Sequence, residues 1–197
     1  MDHTKAGLEQ RWMPTPKADK TLAQASPEKI LDAIAAQAFE NLDAYGNCCR
    51  STLWAIQTHL RKEEPATLRA SSVLAGGICG TGQTCGAVLG GLIAIGEALG
   101  SEDFRDVASY ESANARAKEF VEWIHETFGS TCCFDIQKAV MGWCHDNPSK
   151  DAEWQEAGGP MACAGVCAQA SRRAAAIILS AHSTKAADCG GVETEPG

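Results

Sequence analysis

Eight of the ten cysteines lie in four close neighbourhoods: Cys48 with Cys49, Cys79 with Cys85, Cys132 with Cys133, and Cys163 with Cys167. A thiolate is a soft donor suited to Cu(I), zinc or an iron–sulfur cluster, and a thiol acidified by its surroundings can exchange with a disulfide. Cys79 and Cys85 stand in residues 76–91, GGICGTGQTCGAVLGG, a segment that carries seven glycines. Glycine costs conformational entropy on folding and is retained where a backbone bends sharply or admits a close neighbour. Gly82 and Gly86, which flank Cys85, are therefore read as cofactor-binding together with the thiols. Cys85 is read in the first turn of the helix after this loop. There unpaired N–H groups and the positive end of the helix dipole favour the thiolate.

The spacing excludes several other chemistries. A phosphate-binding loop needs a lysine after its second glycine, whereas Gly77 and Gly82 are followed by Gln83 and Thr84. Gly80 and Gly82 begin a dinucleotide-like pattern, but Cys85 interrupts it and nothing upstream reads as a strand. No CxxC of a zinc ribbon and no CxxCH of covalently attached haem occurs. Dispersed cysteines can still hold an iron–sulfur cluster. Cysteine also packs as a small hydrophobe, the reading given to Cys144, and Cys189 in ADCGGVETEPG is read as exposed and incidental. His145, beside Cys144, is either an imidazole ligand or a solvent-facing loop residue, while His59 and His125 are read as surface residues. Trp12, Trp54, Trp123, Trp143 and Trp154 are assigned to packing, with Trp143 also able to shield a site from water.

The elements that must position these thiols read as helices throughout. Ser26-Pro27-Glu28 opens the first, with Ile30, Ile34, Ala38 and Leu42 on one stripe until Gly46. Asn47 caps a second that runs to about Arg61, in which Cys49 rather than Cys48 continues the stripe of Leu53, Ile56 and Leu60. A short helix from Pro65 precedes the glycine loop, and Thr84 is expected to cap the helix that ends at Gly100. Ser101 is expected to cap a long helix with Phe104, Val107, Phe120, Ile124 and Phe128 inward, and residues 132–144 form a shorter one. The last begins at Pro160 and carries Cys163, Cys167, Ala170, Ala174 and Ile177 on one face to about His182. No segment alternates as an exposed strand does, so the fold class is all-α, a bundle of about five to seven helices with a Gly-rich cysteine loop. Residues 26–183 form the helical cysteine-rich domain, flanked by a flexible arm at 1–25 and a tail at 184–197.

A chain of 197 residues, 45% hydrophobic, can bury one core. Its net charge of -8 argues against nucleic acid or an anionic membrane as partner. The N-terminal segment lacks the apolar core of a secretory signal, and the apolar run at 87–99 is shorter than the ~20 residues that span a bilayer. Cysteine makes up about 5% of the chain, below the ~8–10% of disulfide-stapled secreted domains. A cytoplasmic setting with reduced thiols is expected.

The strings NCCRSTLWAI, GGICGTGQTCGAVLGGLIAIG, FGSTCCFDI and CAQASRRAAAIIL follow one another across roughly residues 47–179. In this order the chain resembles the C_GCAxxG_C_C family, named for its cysteine pattern, to which redox activity is ascribed. Cys85, Gly86, Ala87 and Gly90 stand in for the family's GCAxxG core, with the Gly and Cys order altered. Carried over residue by residue, the family's cysteines fall on Cys48, Cys85, Cys133 and Cys167, and the resemblance implies an iron–sulfur or other redox site at this quartet. It extends to the split-Soret cytochromes, which look like this domain with haem-attachment motifs added and pair as dimers. Those motifs are missing here, so the resemblance implies a homodimer without covalent haem.

Cys49, Cys79, Cys132 and Cys163 shadow the quartet, which leaves one cluster with spare thiols, two clusters or a larger cluster open. The function read from the sequence is an iron–sulfur protein that transfers or stores electrons with a redox partner protein, with a 4Fe–4S cluster as the first choice. Two other classes are carried beside it: a thiolate bundle for Cu(I), and a thiol–disulfide oxidoreductase using Cys85 with Cys79.

Overall fold

Ser26 and Pro27 start the first helix where proline's missing N–H costs nothing, and Gly46 ends it in the left-handed conformation, φ 66°. In the computed structural model, which describes residues 25–60 and 63–188, this helix is α1, Pro27–Tyr45. Asn47 then joins two elements. Its Oδ1 accepts the Arg50 N–H at 3.1 Å to cap α2, Cys48–Leu60, and its Nδ2 donates to Ser72 O at 2.9 Å. There follow α3, Pro65–Ala70, a 3₁₀ turn at Ser71–Val73, and a run of turns leading to α4, Gly86–Leu99. Next come α5, Val107–Phe128, α6, Cys133–Met141, α7, Asp151–Glu156, and the 30-residue α8, Gly159–Asp188.

The described residues are thus all-helical, with eight α-helices where five to seven are expected. The additional one is α7. Asp151 and Glu153 in its first turn suit the helix dipole, but Trp154 is its one large apolar residue, too little for a periodic pattern. No described helix is long and apolar enough to cross a membrane. Trp12, Cys189 and most of the two terminal arms lie outside the described residues.

Four helices, α1, α2, α4 and α8, form the centre. α8 packs along α1 and against α4, α4 packs on α2, and α1 also touches α2. Leu53, Ile95, Ile124, Ile177, Ile178 and Phe120 are almost completely buried between them and α5, each contributing about 1.5–3 kcal/mol by leaving water. Gly90 and Gly91 set the spacing: a Cβ on Gly90 would stand 3.0 Å from Thr52 Cβ, and one on Gly91 would stand 2.6 Å from the Phe120 ring. Arg172 ties α8 to α1 through Glu28 and Asp32, and Arg173 ties it to α5 through Glu119 at 2.9 Å.

Two sequence expectations need correction. The long helix begins at Val107 with the Asp106 carboxylate accepting from Ser109 N–H, not after Ser101. Phe104 and Val107 are exposed rather than inward, because α5 meets the bundle through Phe120, Ile124 and Phe128. Thr84 does not cap α4 either. Cys85 occupies the cap position, and Thr84 pairs with Cys132 in an isolated antiparallel bridge.

Candidate functional site

That bridge clamps two cysteine-bearing segments together. Cys85 N–H donates to Thr131 O at 2.9 Å, Cys133 N–H to Gln83 O at 2.6 Å, and Phe134 N–H to Gly82 O at 3.4 Å. The start of α4 is thereby held against the start of α6. The turns before α4 wrap the same place with left-handed backbone at Gly76, Gly77, Gly80 and Gly82, and also at Ile78, φ 64°, and Cys79, φ 53°. Gly77 lies so close that a Cβ would come within 2.7 Å of Cys133 Cβ, and the Phe134 ring covers Gly82. On the other side Gly86 makes room for a sulfur: a side chain there would overlap Cys48 Sγ.

Five thiols converge from these elements. Cys48 is the first residue of α2, Cys85 precedes α4, Cys133 opens α6, and Cys163 and Cys167 lie one turn apart on α8. Cys85 and Cys133 are hydrogen bonded to each other. Cys48 lies within electrostatic reach of Cys85, Cys133, Cys163 and Cys167, and Cys167 Sγ approaches Cys48 O at 3.7 Å. Cys85, Cys133 and Cys167 are buried.

The environment divides their acidities. Cys133 is lowered to about 7, chiefly because the Cys85 S–H donates to its sulfur and secondarily because Gln137 does, against the cost of burial. Donating that hydrogen bond holds Cys85 in its protonated form, and burial and the neighbouring sulfurs push it further up. Within this pair Cys133 is the thiol pushed down and Cys85 the one pushed up, the reverse of what the helix-dipole argument predicts for Cys85. Burial raises Cys48, although the Gly76 backbone hydrogen bond offsets part of it, and raises Cys167 despite Thr52. Burial, followed by the charges of Cys133 and Cys48, pushes Cys163 up to about 12.

The other thiols take different directions. Cys49 is fully buried on the core face of α2 and meets Ser71, with its thiol pushed up to about 12 by burial. Cys79 is exposed and donates to Val73 O at 3.2 Å, and Cys132 donates to Gly82 O at 3.0 Å. Cys144 is buried. The His145 ring pairs with Asp151 and lies against Trp154, with centroids 5.5 Å apart.

Three contributors escape the sequence reading. Gln137, one turn after Cys133, donates to its sulfur at 3.6 Å. Thr52, one turn after Cys48, is fully buried beside Cys167, and its hydroxyl faces that sulfur without a fully formed hydrogen bond. Gly76 contributes a backbone hydrogen bond to Cys48. The i+4 spacing is the signal that points to both side chains, since it places them on the faces of the two cysteines.

Among the described residues, no three His, Cys, Asp or Glu side chains stand close enough to hold a single metal ion. The donor set nonetheless fits a thiolate-bound cluster. Several thiols from separate helices lie within electrostatic reach of one another, and the Thr52 hydroxyl would gain a full acceptor once Cys167 is a thiolate. The model of the family described as "Putative redox-active protein (C_GCAxxG_C_C)" matches residues 46–179 of this chain. No curated protein and no solved structure matches it.

Proposed function

Because this chain belongs to the C_GCAxxG_C_C family, we propose that it is an electron-transfer protein in which Cys48, Cys85, Cys133 and Cys167 hold an iron–sulfur cluster, a four-iron cubane. The observation that supports this reading most is the convergence of buried and half-buried thiols at the starts of α2, α4 and α6 and on the face of α8. Such a cluster takes up or releases one electron at a time. The chain's own part is to supply thiolates, to set helix N-termini where their negative charge is offset, and to exclude water with the 76–82 turns. Cys163 faces the same place as a fifth thiol. A redox partner protein supplies and receives the electrons, and the chain acts as a homodimer in the cytoplasm.

The test is iron and acid-labile sulfide per chain in protein purified without oxygen. About four of each is the expected result for one cubane. Clearly more would make the paired cysteines ligands as well, while tight Cu(I) binding without iron would replace the cluster reading. The hydrogen bond between Cys85 and Cys133 supports one further reading if no metal is found. The two thiols would then cycle to a disulfide, releasing two electrons and two protons, and Cys133 rather than Cys79 would be the partner of Cys85.

A further inference from the structure

Gln137 is buried, 6% exposed, and both ends of its amide are engaged. Its Oε1 accepts the main-chain N–H of His145 at 2.8 Å, and its Nε2 donates to Cys133 Sγ at 3.6 Å. The orientation of this amide is settled by chemistry. A main-chain N–H can only donate, so the oxygen must face His145 and the NH₂ must face the sulfur. His145 is anchored in turn, its ring pairing with Asp151 at the start of α7 and lying against Trp154. The segment between α6 and α7 thus works as a strap that aims one N–H donor at one sulfur.

A donor directed at a cluster sulfur stabilises the more negative, reduced state and so raises the reduction potential. We propose that Gln137 is a positioning residue that sets the reduction potential of the site through Cys133 Sγ, with its amide locked by the His145 main chain. The inference rests on the cluster reading above. It gives α7 a purpose, since this short helix supplies the Asp151 and Trp154 that hold His145.

The experiment compares full-length wild type with Gln137→Met, which keeps the length of the side chain and removes the donor, and with Asp151→Ala, which frees His145 from the surface. Iron and sulfide per chain are measured first, and then the midpoint potential by redox titration of the cluster absorbance. Gln137→Met should carry the same iron and sulfide as wild type and titrate at a more negative potential. Asp151→Ala should move in the same direction by less. Equal potentials in Gln137→Met and wild type, at equal iron, would overturn the inference and leave the cluster reading standing. Should Gln137→Met fail to fold, an unshifted potential in fully loaded Asp151→Ala would overturn it. Wild type without iron and sulfide would overturn the cluster reading itself and the inference with it.

Discussion

Neighbouring cysteines on a helix cannot share a target, because each residue turns the chain by about 100°. Cys48 and Cys49 show the consequence: Cys48 faces the gap left by Gly86, and Cys49 faces the core and Ser71. The apolar stripe of Leu53, Ile56 and Leu60 reveals Cys49 as the buried member of the pair, yet on that core face it lies within electrostatic reach of Cys48 and Cys167, whereas Cys48 also reaches Cys85, Cys133 and Cys163. Cys132 and Cys133 divide in the same manner, since Cys132 turns back to Gly82 O while Cys133 meets Cys85. Cys85→Ser should therefore abolish most of the cluster absorbance. Cys79→Ser and Cys132→Ser should leave the spectrum and the iron content of the anaerobic protein unchanged. Loss of iron from the Cys132 variant would show that the pair is misassigned.

At the scale of the elements, the site depends on helices that start close together. Gly86 stands against Cys48 Sγ and the Cys49 main chain, and an alanine there has to push α4 away from α2. Gly86→Ala should cost about 1–3 kcal/mol, as overpacking does, and should reduce iron per chain. Gly96 on the same helix has nothing within 4 Å of an added Cβ. Gly96→Ala should stabilise the fold by about 0.5–1 kcal/mol through helix propensity and leave the iron content intact. Urea denaturation of both variants measures the contrast. Most helices are legible in the sequence because caps such as Asn47 and stops such as Gly46 and Gly129 bracket periodic apolar residues. Phe104 misleads because an apolar residue before a helix carries no mark of whether the bundle reaches it. Thr84 misleads because a long-range pairing with Cys132 claims its backbone, and no local pattern announces that. The convergence on the site is legible as cysteine type and order, whereas the Gln137 amide depends on the distant His145 N–H.

For the whole molecule, burying so many thiols makes the metal-free fold sensitive to alkali. Cys49 and Cys163 are pushed from 9.0 up to about 12. The unfolded chain releases these protons first, so the stability they contribute is fully present below pH 9 and is lost as pH rises from 9 toward 12. Cys133, lowered to about 7, works in the opposite sense: its contribution is present above pH 9 and is lost as pH falls through 7. The urea midpoint of the reduced, iron-free protein should accordingly fall as pH is raised above 9. A midpoint that stays level to pH 11 would mean that these thiols are solvated. The pairing of α1 with α8 carries a further consequence, for biosynthesis. The first described helix finds its main neighbour in the last, and Cys167 arrives only with that helix. Synthesis must therefore reach α8 before α1 is sheltered and before Cys167 can join the other thiols, so the proposed site is completed only when the most distant of its elements along the sequence has been made.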